Sequence, residues 1–584
     1  MNVELRRARH RQMFIFLLVC AGMLGLLARL YYWQVLQSSH LSQLANAEHI
    51  QNQILNAPRG LIYDAQGHIL ATNIVRDDVY IEPIQFVQDH PDAENRQAQL
   101  ALLVQRLHQV LPGVSEDSLN QAFASNQATV RIASLIEPTQ SQRLRSLRLS
   151  YTFLEPHTAR NYPNGELAAQ VLGFVQDGGN GVYGVEGMYN KLLAGKSGNF
   201  TAETDLSGNP LTVGASSQQA AVNGADLTLT IDSSLQYIAQ TMLANEVKRL
   251  EAQSGSVIVL NARTGGIVAM AGAPTFDPNH YSQYYKDRGC LGSRFVYFNP
   301  SLTCAYEPGS TMKAVTMAAA LDQSLITPHT TLHDPGYITF KDGTPTVTNW
   351  RTKSYGIETM TQVLEHSANV GAAYVAHDIL GPDRFYPYLQ RFGFGQAYNI
   401  DGPEEKGGYR TNKSPDWSPS DLARQSFGQA ILATPLQMAM VFQAIANGGV
   451  MMQPYLVASV ENNGQVETTQ PHALRRVISE QAAKLLSGML VSAANYNQQA
   501  TFQGYSVAVK TGTATTQGIS DDETEASMAG FLPATNPQFV ILVKLDRPHA
   551  NDNIYGGTAA APLWKAVAQQ LMWHYGVPPD QPQA

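Results

Sequence analysis

The pattern of hydrophobic and polar positions divides the chain into three main parts. Residues 13–35 form an almost uninterrupted apolar run, which predicts a transmembrane helix. Residues 36–224 alternate short strand-like runs with glycine and asparagine turns, which predicts a mixed domain. Residues 225–578 carry longer elements with helical or strand periodicity and are expected to form a second domain, with residues 1–12 and 579–584 as tails.

The order of predicted elements in the second domain indicates an α/β fold of the α+β type. One antiparallel sheet with the terminal helices on one face, together with a separate helical lobe, accounts for this order. We expect a functional site in the cleft between the sheet edge and the lobe. The predicted elements are a strand at 227–231, a helix at 234–251, hairpin strands at 256–260 and 267–270, a helix-rich stretch at about 305–500, strands at 506–513 and 538–545, and a helix at 560–575.

The apolar run at residues 13–35 is long enough, at about 1.5 Å per residue, to cross the roughly 30 Å hydrocarbon core of a membrane. Residues 1–12 hold four arginines and one glutamate. The positive-inside rule therefore predicts a cytoplasmic N-terminus, with residues 36–584 on the outer side of the cell (inner) membrane. The alternative is a cleaved signal peptide, but the length of the run and the lack of a small-residue cleavage site favour an anchor.

Composition and charge exclude several classes of protein. A chain of 584 residues with 44% hydrophobic and 15% charged residues is typical of a globular protein with more than one core. The mean hydropathy of −0.18 leaves no room for many membrane spans. A formal net charge of −8 gives no indication of nucleic-acid binding.

The cysteines and histidines indicate an exported protein without a metal. Cys20 lies in the predicted membrane helix, whereas Cys290 and Cys304 lie 14 residues apart on the predicted outer side. Export to an oxidising compartment would permit a disulfide between them, and two free thiols are the alternative. The 15 histidines show no metal-ligand spacing, so we expect no metal ion.

Three short motifs carry the candidate chemistry. They are Ser310-Thr-Met-Lys313, Ser367-Ala-Asn369 and Lys510-Thr-Gly-Thr513. Each motif alone is common in proteins as a helix face, a turn or a strand end. In this order and on these predicted elements, the three match the signature of serine acyl-transferases.

The first motif predicts a serine nucleophile with a lysine base. A turn before Ser310 should open a helix, and on a helix the Ser310 hydroxyl and the Lys313 amine share a face. A lysine can accept the serine proton only when it is uncharged. Burial and a second cation both lower a lysine pKa, and Lys510 is the candidate for that cation.

The other two motifs predict proton transfer and substrate binding. Ser367 could pass a proton to the leaving amine, and Asn369 could hold both the lysine and a substrate amide. Gly512 would let an acyl chain lie along the strand as an additional strand. Thr511 and Thr513 offer hydroxyl groups to a terminal carboxylate.

With these motifs the sequence resembles class B penicillin-binding proteins, the monofunctional D,D-transpeptidases of bacterial cell-wall synthesis. The resemblance extends over nearly the whole chain and implies the penicillin-binding/transpeptidase fold preceded by a non-catalytic pedestal domain at residues 36–224. Similar motifs outside the three catalytic ones are Pro58-Arg59-Gly60, Arg160-Asn-Tyr-Pro163, Gly181-Val-Tyr-Gly184-Val-Glu186, Gly428-Gln429 and Tyr555-Gly-Gly557.

The resemblance also implies roles and partners. Ser310 would be the acylated nucleophile, Lys313 its general base, and the backbone N–H groups of Ser310 and Thr513 the oxyanion hole. The donor would be a peptidoglycan stem peptide ending in D-Ala-D-Ala, and β-lactams would acylate the same serine. A SEDS-family glycosyltransferase is the implied membrane partner, and no cofactor is expected.

Three questions remain open at the level of sequence. A D,D-carboxypeptidase or β-lactamase would use the same motifs with water as the acyl acceptor. A non-catalytic β-lactam sensor or scaffold is a different class, which the complete motif set disfavours. Glu307-Pro-Gly309 resembles the division-type branch of the family, but Ala314 stands where a proline is common, so the branch is not decided.

Overall fold

A computed structural model describes most of the chain and divides it into two compact units. The described residues are 2–41, 50–203, 216–292, 294–400, 402–515, 524–549 and 555–581. The first unit comprises Met1–Pro58 and Gly195–Gly224, and the second comprises Arg59–Ala194 and Ala225–Ala584.

The first unit contains the predicted membrane helix. An α-helix at Asn2–Tyr31 continues as a π-helical turn at Tyr32–Leu36. The segment Arg6–Leu36 is long and apolar enough to cross a membrane, and none of the 18 residues of its most apolar stretch is buried. The unit also has an antiparallel three-stranded sheet, whose strands are Ile50–Leu55, Gly198–Glu203 and Ser216–Gln219.

The N-terminal part of the second unit is a mixed α and β region, as predicted. The turn at Gly67, which has a φ of +88°, joins the antiparallel strands Ile62–Tyr63 and Ile69–Ile81. Both strands belong to a seven-stranded sheet, whose other strands are Val130–Ile136, Thr152–Asn161, Asp226–Leu229, Val457–Asn462 and Gln465–Thr468. The helices of this region are Pro83–Asp89, Ala93–Val110, Glu116–Phe123, Pro138–Leu147, Ala169–Leu172, Gly184–Met188 and Asn190–Leu193, and a small hairpin joins Phe174–Val175 to Gly181–Val182.

The C-terminal part of the second unit is built on an antiparallel five-stranded sheet in the order β2-β1-β5-β4-β3. The strands are β1 (Ser254–Asn261), β2 (Ile267–Ala273), β3 (Ala508–Thr515), β4 (Thr524–Leu532) and β5 (Phe539–Asp546). The main helices are α1 (Ser233–Arg249), α2 (Lys313–Asp322), α3 (Met360–His366), α4 (Pro435–Ala446), α5 (Glu480–Asn497) and α6 (Ala560–His574).

Alternating side chains of the sheet pack against helices on both faces. In β1, Val257 and Val259 belong to the cluster that contains residues of the terminal helices α1 and α6. Ile258 and Leu260 point to the opposite face and belong to the larger core that contains α4. The terminal helices therefore cover one face of the sheet, as expected from the element order.

The helical lobe between β2 and β3 contains short strands as well as helices. Local capping defines several helix starts, as at α4, where the Thr434 side chain accepts a hydrogen bond from Gln437 N. The remaining helical segments are Pro278–Tyr284, Cys290–Gly292, Pro300–Thr303, Gly309–Met312, Trp350–Thr352, Asn369–Tyr374, Val375–Leu380, Pro382–Arg391 and Pro419–Gln425. The short strands are Thr331–Asp334, Tyr337–Ile338, Val347–Thr348, Gly356–Thr359, Gly408–Tyr409, Ile431–Leu432, Val450–Met452 and Ala473–Arg476.

One strand of the main sheet is absent from the sequence-based prediction. The prediction of two strands after the helical lobe is wrong, because β4 lies between β3 and β5. Every residue of β4 after Thr524 is buried, and the strand consists largely of alanine, glycine and other small residues. A strand buried on both faces has no polar–apolar alternation, and small residues have low β-propensity, so neither signal is present.

Candidate active site

The three sequence motifs meet between the helical lobe and β3. Ser310 lies in a 3₁₀ turn at Gly309–Met312, and α2 begins only at Lys313, slightly later than the predicted helix start. Gly309 has a φ of +55°, and a Cβ atom there would clash with the backbone of Thr513. The turn that carries Ser310 is therefore packed directly against the strand that carries the third motif.

The Lys313 amine lies at the centre of the site. Its Nζ is 3.0 Å from Ser310 Oγ, 3.3 Å from Ser367 Oγ and 2.8 Å from Asn369 Oδ1. It also donates a hydrogen bond to the backbone carbonyl of Ser367. An uncharged amine that donates to this carbonyl and to Asn369 keeps its lone pair for the Ser310 hydroxyl proton.

The second motif connects the two lysines. Ser367 follows α3 in the left-handed backbone region with a φ of +57°. The Lys510 amine donates to Ser367 Oγ over 2.9 Å and to the carbonyl of Thr511 over 3.2 Å. Ser367 Oγ therefore bridges Lys313 and Lys510 and can pass a proton between them and a bound group.

Burial strongly affects the charge of both lysines. The Lys313 side chain is fully buried, and its pKa lies well below the usual value because of burial and the nearby Lys510 charge, although Glu358 opposes this shift. Burial lowers the pKa of Lys510 to about 7. The lowered pKa of Lys313 favours the uncharged amine, the form that can act as a base toward the adjacent serine hydroxyl.

The remaining residues of the third motif line the edge of β3. Thr513 Oγ1 accepts a hydrogen bond of 3.0 Å from Gly556 N. Gly512 has no space for a side chain, because a Cβ atom would clash with Ser527 Oγ and the carbonyl of Pro308. Thr511 is half-buried and Thr513 is exposed, so the Thr513 side chain is accessible from solvent.

The structure brings the two lobe cysteines together upstream of Ser310. A disulfide joins Cys290 to Cys304, with their Cα atoms 5.5 Å apart. Cys304 directly follows the short helix Pro300–Thr303. Cys20 is unpaired in the N-terminal helix.

Two functional candidates carry no signal in the sequence motifs. Glu358 and Asp334 are buried carboxyl groups, and Glu358 Oε2 lies 2.9 Å from Nδ1 of His366. The ring of His366 stacks on Tyr355, with the ring centroids 4.2 Å apart. No sequence pattern marks Glu358 as a functional residue. In its four-residue strand the polar Glu358 is buried and the apolar neighbour Ile357 is 75% exposed, which is the reverse of the usual pattern.

Comparison with known proteins identifies the family. A family model for the penicillin binding protein transpeptidase domain matches residues 255–569, and a model for the penicillin-binding protein dimerisation domain matches residues 54–229. The chain belongs to the penicillin-binding protein transpeptidase family. Penicillin-binding protein PbpB of Mycolicibacterium smegmatis is 33% identical over 78% of this chain and 70% of its own length.

Other relatives of this penicillin-binding protein cover almost its entire length. Peptidoglycan D,D-transpeptidase FtsI of Escherichia coli is 28% identical over 97% of this chain and 92% of its own length. The crystal structure of penicillin binding protein 3 of Mycobacterium tuberculosis complexed with ampicillin superposes with a TM-score of 0.68 at 27% identity and covers 91% of this chain and 100% of that chain. The predicted family and the predicted fold are thereby confirmed.

Proposed function

We propose that this chain is a peptidoglycan D,D-transpeptidase that cross-links stem peptides through an acyl-enzyme on Ser310. The observation that carries the proposal is the 3.0 Å approach of the buried Lys313 amine to Ser310 Oγ. The relatives named D,D-transpeptidases support the reaction, and the related structure with bound ampicillin supports β-lactams as ligands.

Acylation begins with attack of Ser310 Oγ on the carbonyl carbon of the penultimate D-alanine, while Lys313 Nζ takes the hydroxyl proton. The backbone N–H groups of Ser310 and Thr513 stabilise the negative charge that develops on the carbonyl oxygen, and a donor of this kind contributes about 3 to 4 kcal/mol. The bond to the terminal D-alanine nitrogen then breaks. Ser367, linked to both lysines, delivers the proton that the leaving amine requires.

Deacylation reverses these roles with a different nucleophile. A neighbouring stem-peptide amine attacks the acyl carbon and loses its proton to the same network. The bond between the acyl carbon and Ser310 Oγ then breaks, and the network returns the proton to Ser310 Oγ. Thr511 and Thr513 bind the carboxylate of the donor peptide through their hydroxyl groups, and Lys510 adds positive charge at the same edge. Asn369 accepts from Lys313 through its Oδ1, and its Nδ2, which donates one hydrogen to the carbonyl of Thr348, offers its second hydrogen to the donor amide.

The wider organisation belongs to the same proposal. Residues 1–12 form a cytoplasmic tail, 13–35 a transmembrane helix, 36–224 the pedestal and 225–578 the extracytoplasmic transpeptidase domain, followed by the tail at 579–584. The apolar helix Arg6–Leu36 supports a single-pass membrane protein. The SEDS-family glycosyltransferase partner and the division-type role stay predictions from the resemblance.

The experiment incubates the full-length chain in detergent with a labelled penicillin and maps the adduct by mass spectrometry. We expect stable labelling of Ser310, loss of label in Ser310→Ala, and full labelling in the control Ser282→Ala, which changes an exposed serine. Equal labelling in Ser310→Ala would contradict the mechanism. Rapid release of hydrolysed drug would instead identify a β-lactamase, and release of D-alanine without cross-linked product from stem peptides would identify a carboxypeptidase.

A further inference from the structure

Two buried carboxyl groups lie on a pair of short strands in the helical lobe. Glu358 is 1% exposed and Asp334 is 0% exposed. They belong to the paired strands Gly356–Thr359 and Thr331–Asp334, in which Leu332 lies opposite Glu358. Asp334 lies two positions after Leu332 on the same strand. Side chains two positions apart point to the same face, so those of Asp334 and Glu358 share one face of the strand pair.

The hydrogen bonds of this pair leave one oxygen without a donor. Asp334 accepts from Gly336 N through Oδ1 and from Asn349 Nδ2 through Oδ2, both over 2.7 Å. Glu358 Oε2 lies 2.9 Å from His366 Nδ1, but Glu358 Oε1 is buried and has no hydrogen-bond donor among the described residues. A proton on Glu358 Oε1, donated to Asp334, satisfies this oxygen and prevents two adjacent buried negative charges.

The carboxyl pair is connected to the catalytic residues on two sides. Asn349, which donates to Asp334, also accepts a 3.0 Å hydrogen bond from Val370 N, directly after Asn369. His366, the partner of Glu358, directly precedes Ser367. Both ends of the second motif are therefore held by groups that contact this carboxyl pair.

The carboxyl group of Glu358 also influences the catalytic base. Glu358 and Lys313 lie close enough for the charge of each to affect the pKa of the other. An ionised carboxylate at this position would favour the protonated amine, and a protonated Lys313 cannot accept the Ser310 proton. At a given pH, an uncharged Glu358 therefore favours the free amine of Lys313.

We propose that Glu358 is a positioning residue of the acylation centre, which shares one proton with Asp334 and thereby holds the strand pair and His366 in place beside Ser367. This inference rests on the proposed function of Ser310 and Lys313 in acylation. In the uncharged form, Glu358 Oε1–H donates to Asp334, and Glu358 Oε2 accepts from a neutral His366 protonated on Nδ1. Ionisation breaks the first interaction and places a negative charge beside the base.

The surroundings of Glu358 support the uncharged form. Burial, followed by the hydrogen bond and charge of Asp334, raises the pKa of Glu358 to about 8, although Lys313 opposes the shift. Burial lowers the pKa of His366, which favours its neutral ring. The titratable and charged groups around this cluster are Asp334, Lys313, His366, Tyr355, Lys353, Glu365 and Tyr496.

The test measures the acylation rate of the full-length chain by a chromogenic β-lactam as a function of pH. In the wild-type chain, the rate should fall roughly tenfold between pH 7 and pH 9, because an acid with a pKa of about 8 loses in this range the proton that it shares with Asp334, and the second motif then loses this support. In Glu358→Gln the part of the fall with its midpoint near pH 8 should disappear, and only the effect of the Lys510 charge, which is lost with a pKa of about 7, should stay. The glutamine side chain keeps a donor for Asp334 and an acceptor for His366 but cannot ionise.

A matched control and a second variant separate positioning from folding. Glu365→Gln changes a neighbouring acid, which accepts from Ser492 Oγ, and should keep the wild-type fall in rate. Glu358→Leu removes both hydrogen bonds, and its rate should be lower at every pH without the fall above pH 8. Thermal unfolding reports whether each variant is folded. If Glu358→Leu does not fold, the pH profile of Glu358→Gln alone decides the test.

The outcomes distinguish this inference from the proposed function. A wild-type rate without a fall above pH 8, an unchanged fall in Glu358→Gln, or a fall that Glu365→Gln abolishes would overturn the role of Glu358 while acylation of Ser310 stands. Absence of any adduct on Ser310 in the wild-type chain would overturn both.

Discussion

Individual residues of the site obtain their chemistry from their surroundings. A lysine on the surface is charged at neutral pH, but burial of Lys313 and the charge of Lys510 lower its pKa. Asn369 and the carbonyl of Ser367 then orient the amine toward Ser310 Oγ. The motif residues are thus interdependent, and a change at one should alter the titration of another.

Replacement of Lys510 by methionine should move the acidic limb of the acylation rate to higher pH. Lys510 is mainly protonated below its pKa of about 7, and there its charge lowers the pKa of Lys313. Without this charge the pKa of Lys313 rises, so a smaller fraction of the amine is free at each acidic pH. The acylation rate, measured by stopped flow at a series of pH values, gives the pH midpoint of the acidic limb. This midpoint does not depend on the maximal rate.

The control for this measurement is Lys484→Met, which removes an exposed lysine of α5 and should leave the midpoint in place. A Lys510→Met midpoint at the wild-type position, or at lower pH, would contradict the electrostatic role of Lys510.

The motif residues were predictable from sequence, whereas their supporting residues were not. Ser310, Lys313 and Lys510 stand in short motifs of fixed spacing, and the structure brings all three motifs together. Glu358 and Asp334 meet only because two short strands pair in the lobe, and no local pattern indicates that pairing. A contact that depends on tertiary structure leaves no periodic signal in a single sequence.

At the scale of secondary-structure elements, close backbone packing fixes the turn that carries the nucleophile. Gly309 N donates a 3.0 Å hydrogen bond to the carbonyl of Gly428, and a Cβ atom on Gly428 would clash with the backbone of Gly309. Gly428 also has a φ of +83°, which disfavours any other residue. The 3₁₀ turn before α2 is thus held between this glycine and β3.

Replacement of Gly428 by alanine should therefore displace the turn and reduce both stability and penicillin labelling. Gly488→Ala is the matched control, because Gly488 lies within α5 and a Cβ atom there meets nothing within 4 Å. Alanine in a helix interior is more favourable than glycine by up to about 1 kcal/mol, so the control should be slightly stabilised. Thermal unfolding and labelling of both variants measure the effect, and unchanged labelling in Gly428→Ala would contradict it.

Most elements of the sheet were predictable from sequence because their patterns are strong. Helices α1 and α6 and strands β1, β2, β3 and β5 lie within a few residues of their predicted bounds. Strand β4 was missed because it is buried on both faces and rich in small residues. Helix α2 begins at Lys313, slightly later than predicted, because the turn before it is 3₁₀. This turn packs against Thr513, and the local sequence does not indicate that tertiary contact.

At the scale of the whole molecule, charge and hydropathy divide the chain between compartments. Four arginines against one glutamate in residues 1–12 give a basic tail, although the chain as a whole has a net charge of −8. The apolar helix Arg6–Leu36 then separates this tail from the remaining, acidic chain. The proposed orientation places the site of Ser310 outside the cytoplasm, together with the Cys290–Cys304 pair.

The oxidation state of the cysteines should therefore report this orientation. In the full-length chain exported by the cell, a thiol-alkylating reagent applied under denaturing conditions without reductant should modify Cys20 alone of the three cysteines, because an oxidising compartment preserves the Cys290–Cys304 bridge. A variant without residues 13–35 should stay in the reducing cytoplasm, and both of its remaining cysteines should be modified. Intact mass counts the adducts, and Cys290→Ser/Cys304→Ser calibrates the count for Cys20. Three adducts on the full-length chain would contradict the proposed orientation or the bridge, and membrane location assayed on the same sample would tell which of the two has failed.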